Sequence, residues 1–103
     1  MGEGLPFMMG RIEQTLGRLG GLERPIPDYF QQNFWFTTSA FFTTPPLLCA
    51  LLVIGADRMI FSVDYPFSDN VKARTFLDGA PLSPADRDKI AHTNAERLLG
   101  LGP

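Results

Sequence analysis

The sequence predicts an α/β chain with two short parallel strands, forming part of a larger fold. Two runs rich in β-branched and aromatic residues, Phe34–Thr38 and Met59–Val63, are typical of buried strands. Helical patterns precede, separate and follow these runs, and strands that alternate with helices pair in parallel. Because two strands alone do not make a stable parallel sheet, we expect further strands to complete it.

The first helix is predicted over Leu5–Leu19, where apolar residues recur at steps of three and four. Pro6 fits its first turn, and Gly20-Gly21 ends the pattern. The aromatic run Phe34-Trp35-Phe36, at the start of the first strand, is expected to be core.

Proline and capping signals predict the remaining helices. Proline is favoured at the first helical position, where its missing N–H is no loss, and Asp, Asn and Ser accept hydrogen bonds from the first N–H groups. These signals predict helices at Pro27–Gln32, from Pro45 or Pro46 through Leu52, from Asp69 or Asn70 to about Leu77, from Ser83-Pro84-Ala85-Asp86 onward, and at Thr93–Leu99.

Composition narrows the class of protein. The 103 residues carry a net charge of −2 without a basic cluster, which argues against nucleic-acid binding. The uncharged stretch Asn33–Ala56 is long enough to cross a membrane, but Pro45-Pro46 would break such a helix, so no membrane span is expected. The single cysteine, Cys49, excludes an internal disulfide and predicts a buried thiol in a reducing, cytoplasmic compartment.

Asp64 is the first candidate site residue, because it ends the second predicted strand. Ligands and catalytic groups gather at the carboxyl ends of parallel strands. Alternatively, Asp64 caps the turn before Pro66. His92 is the only histidine and is interpreted as structural, so neither a self-contained zinc site nor a Ser-His-Asp set is predicted.

Four segments together resemble one enzyme family. GADRMIFSVDYPFSDN and IAHTNAERLLGL resemble the C-terminal end of the amidohydrolase-related metal-dependent enzymes, which include decarboxylases of hydroxybenzoates and of aminocarboxymuconate semialdehyde. NFWFTTSAFF is similar to their seventh-strand segment, and GEGLPFMMGR to the stretch after their sixth strand. The resemblance implies that residues 1–103 are the C-terminal portion of a (β/α)8 TIM barrel, containing strands seven and eight with flanking helices and incomplete as an isolated chain.

The resemblance also implies a site. Asp64 matches the eighth-strand aspartate that binds a divalent metal (Zn, Mn or Mg) at the barrel mouth. Glu3 matches a catalytic acid in a His-X-Gly-Glu pattern whose histidine would precede Met1; alternatively, it is an acid favoured at a helix start. Arg11 matches an arginine that meets a substrate carboxylate across a subunit interface; alternatively, it is a solvated charge. Ala40 stands where the family often has glycine, which predicts a different loop after strand seven.

The implied parent activity is a metal-dependent carboxy-lyase acting on an aromatic or unsaturated small-molecule carboxylic acid. In this reading Asp64 holds the metal, and either Asp64 or the histidine that would precede Met1 supplies the proton that replaces the lost carboxylate. Two alternatives remain, a hydrolase of lactones or amides from the same family and a non-catalytic remnant. With one ligand where a catalytic site needs three or more, the isolated chain is expected to bind no metal and to be inactive. Its exposed sheet edges predict a homo-oligomer.

Overall fold

The computed structural model describes residues 2–17 and 20–101. Helices precede, separate and follow two short strands, as the sequence predicts. The elements are α1 (Leu5–Leu16), α2 (Ile26–Asn33), β1 (Phe36–Thr37), α3 (Thr44–Val53), a 3-10 turn (Ala56–Arg58), β2 (Met59–Ile60), α4 (Asn70–Gly79), α5 (Pro84–Asp88), a π-helical stretch (Lys89–Thr93) and α6 (Asn94–Leu99).

The two strands pair in parallel, with Phe36 opposite Met59 and Thr37 opposite Ile60. Helix α3 lies between them in the chain and supplies the crossover that parallel strands require. The parallel pairing predicted from the alternation of strands and helices is therefore confirmed.

Both strands are shorter than predicted. Of Phe34–Thr38 only residues 36–37 form β1, and of Met59–Val63 only residues 59–60 form β2. The chain beyond Ile60 is held by other contacts: the N–H of Phe61 donates to the carbonyl oxygen of Ile90 at 2.8 Å. Strand propensity located the runs, but tertiary contacts determine where the regular ladder stops.

The C-terminal helical segment covers the outer edge of β2. The Asn94 side-chain amide donates to the carbonyl oxygens of Met59 (2.8 Å) and Ala56 (2.7 Å). Phe61 donates its N–H to Ile90, which lies in the π-helical stretch. The backbone N–H and carbonyl groups of Met59 and Phe61 point away from β1. Those of Ile60, which lies between them, point toward β1, since the carbonyl oxygen of Ile60 accepts from the N–H of Thr38. The helix thus satisfies the groups that a further strand would otherwise pair.

An ion pair ties the same helical segment to the 3-10 turn. The Lys89 ammonium lies 2.9 Å from the Asp57 carboxylate, and both side chains are exposed. The hydrogen bond from Lys89, followed by its charge, lowers the pKa of Asp57. The same hydrogen bond and the charge of Asp57 raise the pKa of Lys89.

Two helix starts follow their capping residues as predicted. The Asp69 carboxylate accepts from the N–H groups of Val71 and Lys72, and the Ser83 hydroxyl accepts from the N–H of Asp86. These bonds satisfy amide groups that a helix start leaves without an internal partner.

Three helix ends differ from the prediction. Helix α1 ends at Leu16, whereas the predicted end, Leu19, lies outside the described residues. Helix α4 continues through Gly79 rather than stopping near Leu77. The segment Thr93–Leu99 is the last part of one helical run from Pro84, in which a π-helical stretch joins α5 to α6.

The core lies between the sheet and the helices, and it differs from the predicted aromatic core. Phe36 is buried, but Phe34 is 49% exposed, so its assignment to the core was wrong. Trp35 is half-buried, with the guanidinium of Arg58 above its ring at 4.7 Å from the centroid. The main cluster comprises Met9, Phe36, Leu47, Ala50, Ile54, Met59, Leu77, Ala80 and Ile90.

Two further expectations concern the apolar middle of the chain. Cys49 is half-buried on α3 rather than fully buried. Among residues 2–17 and 20–101, the helices are all too short or too polar to cross a bilayer.

Candidate active site

Asp64 occupies an unusual backbone position at the carboxyl end of β2. Its φ is +75°, in the left-handed region that aspartate tolerates better than most residues. Its carbonyl oxygen accepts from the N–H groups of Phe67 (2.8 Å) and Ser68 (3.1 Å), and this closes the turn. The side chain is exposed, and in the described part of the chain no hydrogen bond reaches its carboxylate. The carboxylate is therefore available to a ligand rather than used as a turn cap.

A row of hydroxyl groups joins the carboxyl ends of the two strands. Thr37 Oγ1 lies 3.1 Å from Ser39 Oγ, which lies 2.8 Å from Ser62 Oγ. The Thr38 hydroxyl accepts from the N–H of Ser62 at 3.0 Å and donates to its carbonyl oxygen at 2.9 Å. None of these residues was predicted as part of the site. The signal was present, since hydroxyl residues lie at or near the end of both predicted strand runs.

Glu3 lies in the turn before α1, near the carboxyl end of β1. A Cβ atom on the neighbouring Gly2 would lie 3.0 Å from the carbonyl oxygen of Thr37, which shows how closely this turn approaches the strand. Glu3 Oε2 is buried and has no hydrogen-bond partner among the described residues. Helix α1 has no side-chain cap, so Glu3 does not serve as one. A buried carboxylate oxygen without a donor is costly, and the arrangement suits a donor from outside the described residues.

The same glutamate lines a groove between α1 and α3. Its volume is about 610 Å³, and apart from the carboxylate its walls are apolar. The lining residues are Glu3, Phe7, Pro45, Pro46, Leu48, Cys49, Leu52 and Val53.

Arg11 is exposed on α1, six positions after its first residue, Leu5. A helix rises 1.5 Å per residue, which places Arg11 roughly 9 Å along the axis from the helix start. No ion pair or hydrogen bond in the described part of the chain joins Arg11, Glu3 or Asp64 to one another. The structure thus places Asp64 and Glu3 at the carboxyl edge of the sheet and Arg11 further along a helix.

Ala40 has a φ of +65° in the loop after β1. The left-handed region favours glycine, so the loop keeps a conformation suited to glycine although the residue is alanine. The N–H of Ala40 donates to the carbonyl oxygen of Val63 at 3.3 Å, which ties this loop to the residue before Asp64.

The described residues do not form a complete metal site by themselves. No three His, Cys, Asp or Glu side chains of residues 2–17 and 20–101 come close enough to hold an ion. His92 Nδ1 lies 3.0 Å from Glu96 Oε1 on the C-terminal helical segment. The exposed Asp64 carboxylate fits a metal that prefers oxygen ligands, and the remaining ligands must come from elsewhere.

A parallel strand–helix–strand unit with an available carboxylate at the carboxyl end of a strand defines a class, the α/β enzymes that bind ligands at that edge. The amidohydrolase family pattern matches residues 4–101. The chain therefore belongs to the amidohydrolase family.

Its relatives and structural neighbours include decarboxylases of aromatic acids. Gamma-resorcylate decarboxylase from Rhizobium radiobacter is 44% identical over 106 residues, covering 98% of this chain and 32% of the relative. A structure of 2,6-dihydroxybenzoate decarboxylase complexed with 2,6-dihydroxybenzoate is 42% identical, with a TM-score of 0.86 over 95% of this chain and 32% of the other.

A third comparison involves a bound metal. The dihydroxybenzoic acid decarboxylase of Polaromonas sp. JS666, solved with manganese and the inhibitor 2-nitroresorcinol, is 41% identical with a TM-score of 0.86, covering 95% of this chain and 31% of that one. The chain spans about a third of the length of these proteins. It forms part of a (β/α)8 barrel, which confirms the predicted fold class.

Proposed function

We propose that residues 1–103 contribute strands seven and eight, and with them one metal ligand, to a metal-dependent carboxy-lyase. The substrate would be an aromatic carboxylic acid of the hydroxybenzoate type. The observation that carries the proposal is Asp64, exposed at the carboxyl end of β2 with no described group bonded to its carboxylate. The decarboxylase relatives support the reaction class.

Each candidate residue has a role in this proposal. Asp64 holds a divalent metal; manganese, bound in the Polaromonas structure, is favoured over the zinc or magnesium alternatives. When bound, such a metal polarises substrate oxygen atoms. Glu3 accepts a hydrogen bond from a donor outside the described residues, and the Arg11 guanidinium pairs with the substrate carboxylate.

The reaction requires one bond to break and one to form. The bond between the ring carbon and the carboxylate breaks, carbon dioxide leaves, and the electron pair remains on the ring carbon. A proton then forms the new C–H bond, and its candidate donors are a protonated Asp64, which is left as the carboxylate, and the histidine that would precede Met1.

Two alternatives come from different observations. The amidohydrolase pattern also suits a hydrolase of lactones or amides. A non-catalytic, self-associating remnant is favoured by exposed apolar side chains on α1 and α3, where Phe7 is 78% and Leu52 87% exposed. Self-association into a homo-oligomer is also compatible with the enzyme. The proposed cytoplasmic location rests on a separate observation, the single cysteine.

A chimaera tests the proposal directly. The upstream two thirds of the Rhizobium radiobacter relative, joined to this chain, should release carbon dioxide from 2,6-dihydroxybenzoate in the presence of manganese. Asp64→Asn should reduce this rate by roughly a hundredfold or more, because an amide is a weaker metal ligand. Asp88→Asn, at an exposed position on α5, is the matched control and should leave the rate unchanged.

The same chimaera separates the alternatives. Hydrolysis of a lactone or anilide without decarboxylation would favour the hydrolase. A folded, manganese-loaded chimaera that is inactive on both substrate types would favour the non-catalytic remnant. Full turnover by the Asp64→Asn variant would show that Asp64 is not a metal ligand.

A further inference from the structure

The pairing between the two strand segments continues past the regular ladder through a side chain. The last backbone bond of the ladder joins the N–H of Thr38 to the carbonyl oxygen of Ile60 at 3.1 Å. Beyond it, the hydroxyl of Thr38 binds both backbone groups of Ser62, accepting at 3.0 Å and donating at 2.9 Å. Thr38 is 1% exposed, so water does not compete for these bonds.

These contacts end at the residues that precede Asp64. Ala40 donates its N–H to the carbonyl oxygen of Val63, one residue later than Ser62. Asp64 itself is held from the other side by the two N–H groups that donate to its carbonyl oxygen. Hydrogen bonds therefore fix the backbone on both sides of Asp64, which itself has a left-handed conformation. No described group restrains its carboxylate.

Building on the proposed function, we propose that Thr38 is a positioning residue that fixes the backbone from which the Asp64 carboxylate meets the metal. The hydroxyl is essential to this role, because it is the group that accepts from and donates to Ser62. Valine has nearly the same shape but would leave the N–H and carbonyl of the half-buried Ser62 without these partners. Serine keeps the hydroxyl.

The first test uses the labelled 103-residue chain without metal. Carbon chemical shifts of Asp64 report its backbone conformation, and hydrogen exchange reports the Ser62 amide. Thr38→Val should move the Asp64 shifts away from left-handed values and accelerate Ser62 exchange, whereas Thr38→Ser should preserve both. Thr43→Val is the matched control, since Thr43 is exposed and its side chain forms no capping hydrogen bond with α3. Unchanged Asp64 shifts in a Thr38→Val chain with accelerated Ser62 exchange would overturn the inference.

The second test measures manganese affinity by calorimetry in the chimaera, where a complete barrel protects weakened variants from unfolding. Thr38→Val should weaken manganese binding roughly ten- to a hundredfold, the range for residues that orient metal ligands, while Thr38→Ser and Thr43→Val retain it. If Asp64→Asn weakens binding and Thr38→Val does not, the Thr38 inference fails and the proposed function stands. If Asp64→Asn leaves the affinity unchanged, the proposed function fails.

Discussion

Two residues other than glycine, Ala40 and Asp64, adopt left-handed backbone conformations at the same edge of the sheet. For aspartate the cost is small, because its short polar side chain tolerates this region. Alanine has no such compensation, and its Cβ crowds the backbone. The strain at Ala40 persists because its N–H is bonded to Val63, beside the proposed metal ligand.

Replacing Ala40 by glycine should therefore stabilise the chain. Removing the Cβ relieves the left-handed strain, and the greater freedom of glycine in the unfolded chain offsets part of the gain. We expect the free energy of unfolding to rise by about 0.5–1 kcal/mol, measured by urea denaturation. Ala85→Gly, at an exposed helical position, is the control and should lower it. Equal losses in both variants would show that Ala40 is unstrained.

At the scale of elements, long-range polar contacts fasten the C-terminal helical segment to the sheet. Asn94 is 1% exposed and bonds to carbonyl groups more than thirty positions earlier in the chain. Arg87 donates to the carbonyl oxygens of Leu77, Asp78, Ala80 and Leu82, and so satisfies groups at the end of α4. Asn94 thus holds the segment against β2, whereas Arg87 holds it against the end of α4.

Asn94→Ala should destabilise the chain substantially. The change leaves the carbonyl groups of Met59 and Ala56 without their donor, and each unsatisfied buried group costs about 1–3 kcal/mol. Thermal or urea unfolding should show a loss of about 2–4 kcal/mol. Thr93→Ala, at the exposed neighbouring position, should change little. If Asn94→Ala lowers the free energy of unfolding by less than Thr93→Ala does, water must replace the hydrogen bonds of the lost amide.

The Asp57–Lys89 pair predicts a pH dependence in acid. Because the folded chain lowers the pKa of Asp57 below its ordinary value of 3.8, the pair stabilises the fold above that pH. This contribution should disappear as the pH falls through the lowered pKa. Lys89→Met should flatten the acid side of the stability profile, and added salt should mimic it, since both groups are exposed. An unchanged profile in the variant would assign the acid sensitivity to other carboxylates.

Features that depend on neighbouring residues could be predicted from the sequence, whereas features that depend on contacts between distant residues could not. Asp69 and Ser83 cap the helices that they were predicted to cap, because capping depends on the next three residues alone. Asp64 was selected as a candidate because it directly follows a hydrophobic run. The roles of Thr38 and Asn94 depend on partners distant in the chain, and no spacing rule connects them.

At the scale of the whole molecule, an apolar surface remains exposed on α1 and α3. Phe7 is 78% and Leu52 87% exposed, beside the groove that Glu3 lines. In a complete barrel or in an oligomer, such a surface is covered by further protein.

Leu52→Lys should reduce self-association without loss of the fold, because the side chain is already exposed and a charge is costly only when it is buried. Light scattering after size exclusion should show a lower mass for the variant than for the parent chain at equal concentration. Gln14→Lys adds the same charge at an exposed position of α1 and serves as the control. A monomeric parent chain, or an unchanged mass in Leu52→Lys, would exclude this surface as the contact.

The closed outer edge of β2 has a consequence for polymerisation. A filament of stacked strands grows only if every copy offers two pairing edges, one to receive a strand and one to pass the sheet on. Asn94 and Ile90 occupy one of them. Strand addition on the β2 side, by another copy or by the first strand of a complete barrel, therefore requires these contacts to open first. The helical segment that binds β2 should thus also hinder sheet extension at this edge, and its removal should favour polymerisation.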